Sequence, residues 1–262
     1  MDAAISAIIL AGGSINDRDA LFPVAGYSRK SMLPVLGKPM VQWVIQALEQ
    51  AETISDIIVV GIEDLSWHQP AKSVTACADA GSMLANIKCG LDVVNQGGET
   101  QPYVLLASAD IPAISGEIVD WRVRSALRSG ADLDYAVVTR TTMERRFPHS
   151  NRSYLRLKDH ELCGGDLNVV RTSLAGEDEL WERIIRARKS ALRQAALLGF
   201  DLFLGMLTHR ISLDDAVQKV SVRLGLKGVA TISPYAELAM DIDKPEHLRI
   251  IEGSMSARDH TV

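Results

Sequence analysis

The sequence predicts an α/β fold: a doubly wound, mainly parallel sheet with helices on both faces. Three observations carry that prediction. Short continuous apolar runs end at glycine or aspartate, as in Ala7-Ile8-Ile9-Leu10 before Gly12-Gly13, and Tyr103 to Ala109 before Ile111-Pro112. Runs of this kind are strands buried on both faces of a parallel sheet. Between them lie segments whose apolar residues recur at helical spacing. Strand and helix alternate as far as Thr139, the order that winds a parallel sheet.

In chain order, Ala7 to Leu10 reads as the first, central strand. Pro39 suits a first helical turn, and Met40, Val41, Val44, Ile45 and Leu48 form one apolar face behind it. Asp56 to Gly61 is the next strand, Met83 to Val94 a helix, and Tyr103 to Ala109 a third strand. Ser115 is placed to cap a helix through Leu127, and Leu133 to Thr139 returns as a strand. From Ser153 to Val170 the pattern is strand-like but irregular, broken at Gly164-Gly165. Residues 174–225 read as mainly helical, with Ser212-Leu213-Asp214-Asp215 spaced as a capping box. Val229 to Ser233 rejoins the sheet, and Pro245 opens a last helix. The expected organisation is a single domain over residues 1–262 with a helical elaboration at about 174–225.

Composition narrows the class. Hydrophobic residues at 47% and charged residues at 23% describe a globular chain with a sizeable core. A net charge of -5 speaks against a nucleic-acid or anionic-membrane surface, since both need concentrated Lys and Arg. Cys77, Cys89 and Cys163 are odd in number and widely spaced, which fits a reducing compartment better than a disulfide framework. The apolar start follows Asp2 and lacks a basic leader region, and no run is long enough to span a bilayer. These features predict a cytoplasmic location. The apolar stretch Leu192, Leu197, Leu198, Phe200, Leu202, Phe203, Leu204 and Met206 reads as packing or a homodimer contact.

Chemistry points to the carboxyl ends of the strands, where open α/β sheets bind ligands. Leu10-Ala11-Gly12-Gly13 lets the backbone approach a ligand and turn N–H groups toward an anion, although the spacing is neither a Rossmann nor a Walker A motif. Lys30-Ser31-Met32-Leu33-Pro34 and Gly37-Lys38-Pro39-Met40 follow. Asp110 ends the third strand. Asp241-Ile242-Asp243-Lys244-Pro245-Glu246-His247-Leu248 lies near the end of the sequence.

In that order, these motifs resemble the nucleotidyltransferases of the GT-A-like superfamily, in particular the MobA-like NTP transferases. The resemblance covers about residues 5–170 and 228–252. It implies that Leu10, Ala11, Gly12 and Gly13 wrap the nucleotide with Gly81, Ser82 and Asn86, and that Lys30 neutralises phosphate charge. Asp110 and Asp243 would hold Mg²⁺, with Asp241 in reserve. Gly165, Asp166 and Asn168 would face the acceptor. Two departures stand out: residues 14–28 lack the family's Gly-x-Gly-x-Arg loop, and His247 stands where the family has Asp. The implied function is transfer of an NMP from an NTP to a small phosphorylated acceptor, such as a sugar 1-phosphate, with release of pyrophosphate. Two alternatives are a GT-A glycosyltransferase, disfavoured by the single carboxylate of Ser108-Ala109-Asp110, and a nucleotide-binding regulatory protein without turnover.

Overall fold

The computed structural model describes residues 4–13, 21, 29–96, 101–177, 179–182, 205 and 208–259. A nine-stranded sheet forms its centre. The strands are β1 (Ile5–Leu10), β4 (Ile54–Val60), β5 (Ser73–Cys77), β6 (Tyr103–Ser108), β7 (Leu133–Thr139), β8 (Leu155–Arg156), β9 (Glu161–Gly164), β10 (Leu167–Arg171) and β11 (Gly228–Ser233), while β2 (Pro34–Val35) and β3 (Lys38–Pro39) form a separate hairpin. The order is β5-β4-β1-β6-β10-β7-β9-β8, with β11 also paired to β7. β1 pairs in parallel with both β4 and β6, and β11 pairs in parallel with β7. β10 runs antiparallel between β6 and β7. The sheet is therefore mainly parallel through its centre, as its sequence pattern predicts, and the parallel strands end at one common edge.

Alternation along the strands divides the core. Ala7 and Ile9 of β1 face the larger cluster, with α1 (Met40–Gln50), α3 (Gly116–Ser129), α4 (Arg140–Arg146) and α6 (Pro245–Asp259). Ile8 faces the other side, against Ile87, Leu91 and Val94 of α2 (Met83–Gln96), while α5 (Leu213–Leu224) packs on β11. Helices thus cover both faces. Met40, Val41, Val44, Ile45 and Leu48 of α1 are all fully buried, and each such side chain contributes about 1.5–3 kcal/mol by leaving water. Pro39 precedes the first helical residue rather than occupying it. Ser115 accepts the Ile118 N–H, and Gly130 closes α3 at φ +58.

Two elements depart from the sequence expectation. β5 carries no apolar alternation because it is an edge strand with mostly exposed residues. α4 has one buried residue, Met143, and is started by the Thr139 cap. In the 174–225 block, the described residues show a 3-10 turn at Thr172–Gly176, helical residues at 179–182 and helix α5, capped by Ser212 as its spacing predicts. The Leu192 to Phe203 part of the apolar stretch, with Leu204 and Met206, lies outside the described residues. Among the described residues no helix is long and apolar enough to cross a membrane.

One buried ion pair joins the two halves of the sheet. Arg122 of α3 has no exposed surface, donates to the backbone carbonyls of Leu167 and Asp134 at 2.8 and 2.6 Å, and pairs with the Asp134 carboxylate at 2.9 Å. Arg122→Ala strands a buried carboxylate, so unfolding by denaturant should show a loss of about 3–5 kcal/mol. Replacing both partners by apolar residues of similar volume should restore much of that stability, because the pair carries its own desolvation cost.

Candidate active site

β1 runs directly into Ala11-Gly12-Gly13. The Ala11 N–H continues the ladder to Val60 O at 2.8 Å, and Ser31 Oγ donates to the Ala11 carbonyl at 3.0 Å. A Cβ on Gly12 would lie 2.4 Å from Asn86 Nδ2 and 2.9 Å from Asp79 Oδ1, so only glycine lets this turn sit against the start of α2. Gly13 adopts φ +96.

The Gly13 N–H of the turn does point toward an anion, but that anion is part of the protein. Asp79 Oδ2 accepts the Gly13 N–H at 2.9 Å and pairs with Arg29 at 3.3 Å, while Oδ1 accepts from Gly81 N at 3.0 Å and Asn86 Nδ2 at 3.1 Å. The bonds from Gly13, Gly81 and Asn86 hold this carboxyl down at about 2. Asp79 therefore ties the glycine turn to the N-terminus of α2. It is absent from the sequence-derived candidates, because two of its partners, Gly13 and Arg29, are brought to it from distant parts of the chain by the fold. Ser82 caps α2 through the Ala85 N–H at 3.1 Å.

The same sheet edge gathers the acidic residues. Asp110 follows β6, and Ser108 Oγ donates to its Oδ1 at 2.6 Å. The Ile242 N–H donates to the Asp110 carbonyl at 3.0 Å, pinning the Asp241–Asp243 segment beside β6. Lys30 Nζ bonds to Asp110 Oδ2 at 2.6 Å and also to Asp243 Oδ1. Asp110, Asp241 and Asp243 bring ligand-capable oxygens within 4.8 Å of one another. An extended segment would set Asp241 back from this group. The segment instead turns into α6, so Asp241 and Asp243 share a hydrogen bond and Arg152 pairs with Asp241.

The electrostatics are those of crowded carboxylates. Burial, then the bond with Asp243 and the charges of Asp166 and Asp110, push Asp241 up to about 8. Asp243 moves the other way: against its burial, the Asp241 hydrogen bond and the Lys30 ammonium hold it below the usual carboxylate range. Lys30 is raised above its ordinary value: burial opposes the shift, and Asp110 and Asp243 together outweigh it.

A cleft of about 480 Å³ opens at this edge. Leu10, Ala11, Gly12, Gly13, Lys30, Gly81, Ser82, Asn86, Asp110, Asp166 and Asn168 line it; Gly165 and Asp243 do not, although Asp243 touches Lys30. Apolar walls come from Leu106, Leu133, Val170 and Trp181. The Asn168 side chain is also engaged structurally, accepting from Ala136 N at 2.9 Å and donating to Gly165 O at 3.1 Å where β7 exchanges one partner strand for another. Lys38 is outside the cleft lining, over the Trp43 ring at 4.4 Å.

Comparison with known proteins agrees with this architecture. A solved structure described as a hypothetical transferase from Thermus thermophilus is 33% identical, with a TM-score of 0.80, covering 94% of this chain and 99% of that one. A CMP:2-keto-3-deoxy-manno-octonic acid synthetase complexed with CTP is 15% identical, at TM-score 0.57, over 98% of this chain and 100% of that one. A 2-C-methyl-D-erythritol 4-phosphate cytidylyltransferase, also from Thermus thermophilus, is 17% identical, at TM-score 0.53, over 95% of this chain and 98% of that one. At those identities the last two share the fold. No curated protein matches the chain in sequence. The family profile described as the MobA-like NTP transferase domain matches residues 7–195, most of the chain, and with a cleft in which glycine turn, lysine and strand-end aspartate meet, the chain belongs to that family.

Proposed function

We propose that the protein transfers the NMP unit of an NTP to a phosphate oxygen of a small phosphorylated acceptor, with Mg²⁺ held by Asp110 and Asp243. The observation that carries this reading is the meeting of Lys30, Asp110 and Asp243 at the mouth of a cleft floored by the glycine turn. An acceptor phosphate oxygen bonds to the α-phosphorus. The bond from that phosphorus to the bridging oxygen breaks, and pyrophosphate leaves with the electron pair.

The residues fit a hard divalent cation. Every donor is a carboxylate oxygen, the type Mg²⁺ prefers. Asp110, Asp166, Asp241 and Asp243 crowd together beside Lys30 and Arg152, and a divalent ion would relieve the repulsion that pushes Asp241 up. When bound, the ion stabilises charge on the phosphate oxygens. The protein's own groups do the rest. Lys30 keeps Asp243 ionised and supplies a fixed positive charge where the leaving group becomes more negative. Leu10, Ala11, Gly12, Gly13, Gly81, Ser82 and Asn86 form the nucleotide side of the cleft. Asp166 and Asn168 form the acceptor side. The acceptor's phosphate is largely ionised at neutral pH, so attack depends on alignment more than on a general base.

The test is pyrophosphate release from a panel of NTPs offered with sugar 1-phosphates and other phosphomonoesters. Release that requires both an NTP and a phosphorylated acceptor is the expected result. Turnover of a nucleotide-sugar without pyrophosphate would indicate glycosyl transfer. Saturable NTP binding with no turnover across the panel would indicate a regulatory protein.

A further inference from the structure

The Asp241–Asp243 segment is irregular, yet its two carboxylates must hold one geometry if the site binds a cation. A buried histidine supplies the missing support. His247, on the first turn of α6, is 2% exposed, and its ring turns back beneath the acidic segment. Nε2 lies 3.1 Å from the Ser150 carbonyl oxygen. Nδ1 lies 3.3 Å from the Asp243 backbone nitrogen and 3.1 Å from the Asp241 carbonyl oxygen. One ring nitrogen thus meets the Ser150 loop and the other meets the backbone of the Asp241–Asp243 segment, so the buried ring spans the gap between them.

The loop behind the histidine is itself shaped for the contact. His149 and Asn151 both adopt positive φ, at 65° and 49°, and flank Ser150, whose carbonyl meets Nε2. These left-handed residues turn the loop so that its backbone carbonyl faces the ring. From the same loop Arg152 bonds the Asp241 carboxylate and, at 3.4 Å, the Asp241 carbonyl. Ser150, through His247, and Arg152, directly, thus brace the acidic segment.

We propose that His247 is a positioning residue of the transfer site: its buried ring bridges the Ser150 carbonyl and the backbone of the Asp241–Asp243 segment and so fixes the direction of the Asp243 carboxylate. The inference rests on the metal-dependent reading of the site. Groups that orient metal ligands typically alter metal affinity or activity by about 10–100-fold when replaced.

Two substitutions of similar size separate positioning from packing. His247→Asn places an amide oxygen where Nδ1 stands and keeps the bond from Asp243. His247→Gln carries its amide to where Nε2 stands and keeps only the bond to Ser150. Mn²⁺ affinity, read from the electron paramagnetic resonance of the free ion, should fall about 10–100-fold in the Gln variant and stay within about 3-fold of the parent in the Asn variant. Equal weakening in both, or a Gln variant that binds like the parent, overturns the proposal. If the Gln variant does not fold, the Asn variant alone decides: Mn²⁺ affinity within about 3-fold of the parent supports the proposal, and a fall of about 10-fold or more overturns it. A parent that binds Mn²⁺ but releases no pyrophosphate defeats the activity reading alone; a parent that binds no Mn²⁺ defeats both.

Discussion

Asp110→Asn and Asp243→Asn are each expected to lower kcat by at least about 100-fold, since a bound cation supplies several kcal/mol of charge stabilisation and each ~1.36 kcal/mol is a factor of ten. The fold should survive. Asp110 anchors the Asp241–Asp243 segment through its backbone carbonyl, which the substitution leaves in place, and the Asp243 side chain is half exposed. Asp241→Asn is expected to be the mildest of the three. Its buried carboxyl sits well above the usual carboxylate range and so is largely neutral at neutral pH, a form that the amide copies, and activity and thermal midpoint should both fall less than at the other two positions. Pyrophosphate release and thermal unfolding measured side by side on the three variants give the comparison. Full activity in EDTA, or an Asp243→Asn protein as fast as the parent, removes the metal assignment.

Much of the fold and part of this site can be read from the sequence, for a physical reason. Central strands must be apolar on both faces, and the turns that follow them are punctuated by residues with special backbone or charge, as at Gly12-Gly13 and Asp110. Lys30 and Asp243 are legible because they fall within ordered motifs. The supporting residues carry no such signal. Asp79 owes its importance to donors from Gly13, Arg29, Gly81 and Asn86, and no local pattern records that convergence. Arg122 reads as one more charge on an amphipathic helix, and its complete burial follows from the packing of α3 under β7 and β10. Asp241 is set back only if the segment is a strand, and here the chain turns. His247 reads in the sequence as an isolated departure from a family motif. Its partners, Ser150 and Asp243, come together only when a loop with left-handed residues packs beneath α6.

Lys30→Met is expected to lower kcat by about 100-fold or more, with a smaller rise in the KM for NTP, because a preorganised charge matters most as pyrophosphate departs. The structure adds a way to separate this role from metal binding. Lys30 bridges Asp110 and Asp243, so its removal leaves those carboxylates more crowded with negative charge rather than less. A divalent cation should then bind as well as before or better, and the Mg²⁺ concentration for half-maximal rate should not rise. Loss of kcat without a greater Mg²⁺ requirement assigns Lys30 to the phosphates. A rise in NTP KM alone would make it a binding residue, and a large rise in the Mg²⁺ requirement would mean that it acts by holding the carboxylates in place. Lys38→Met is the matched control: its ammonium lies over Trp43 and outside the cleft lining, so the same change of charge and shape elsewhere in the same motif should leave kcat nearly unaltered.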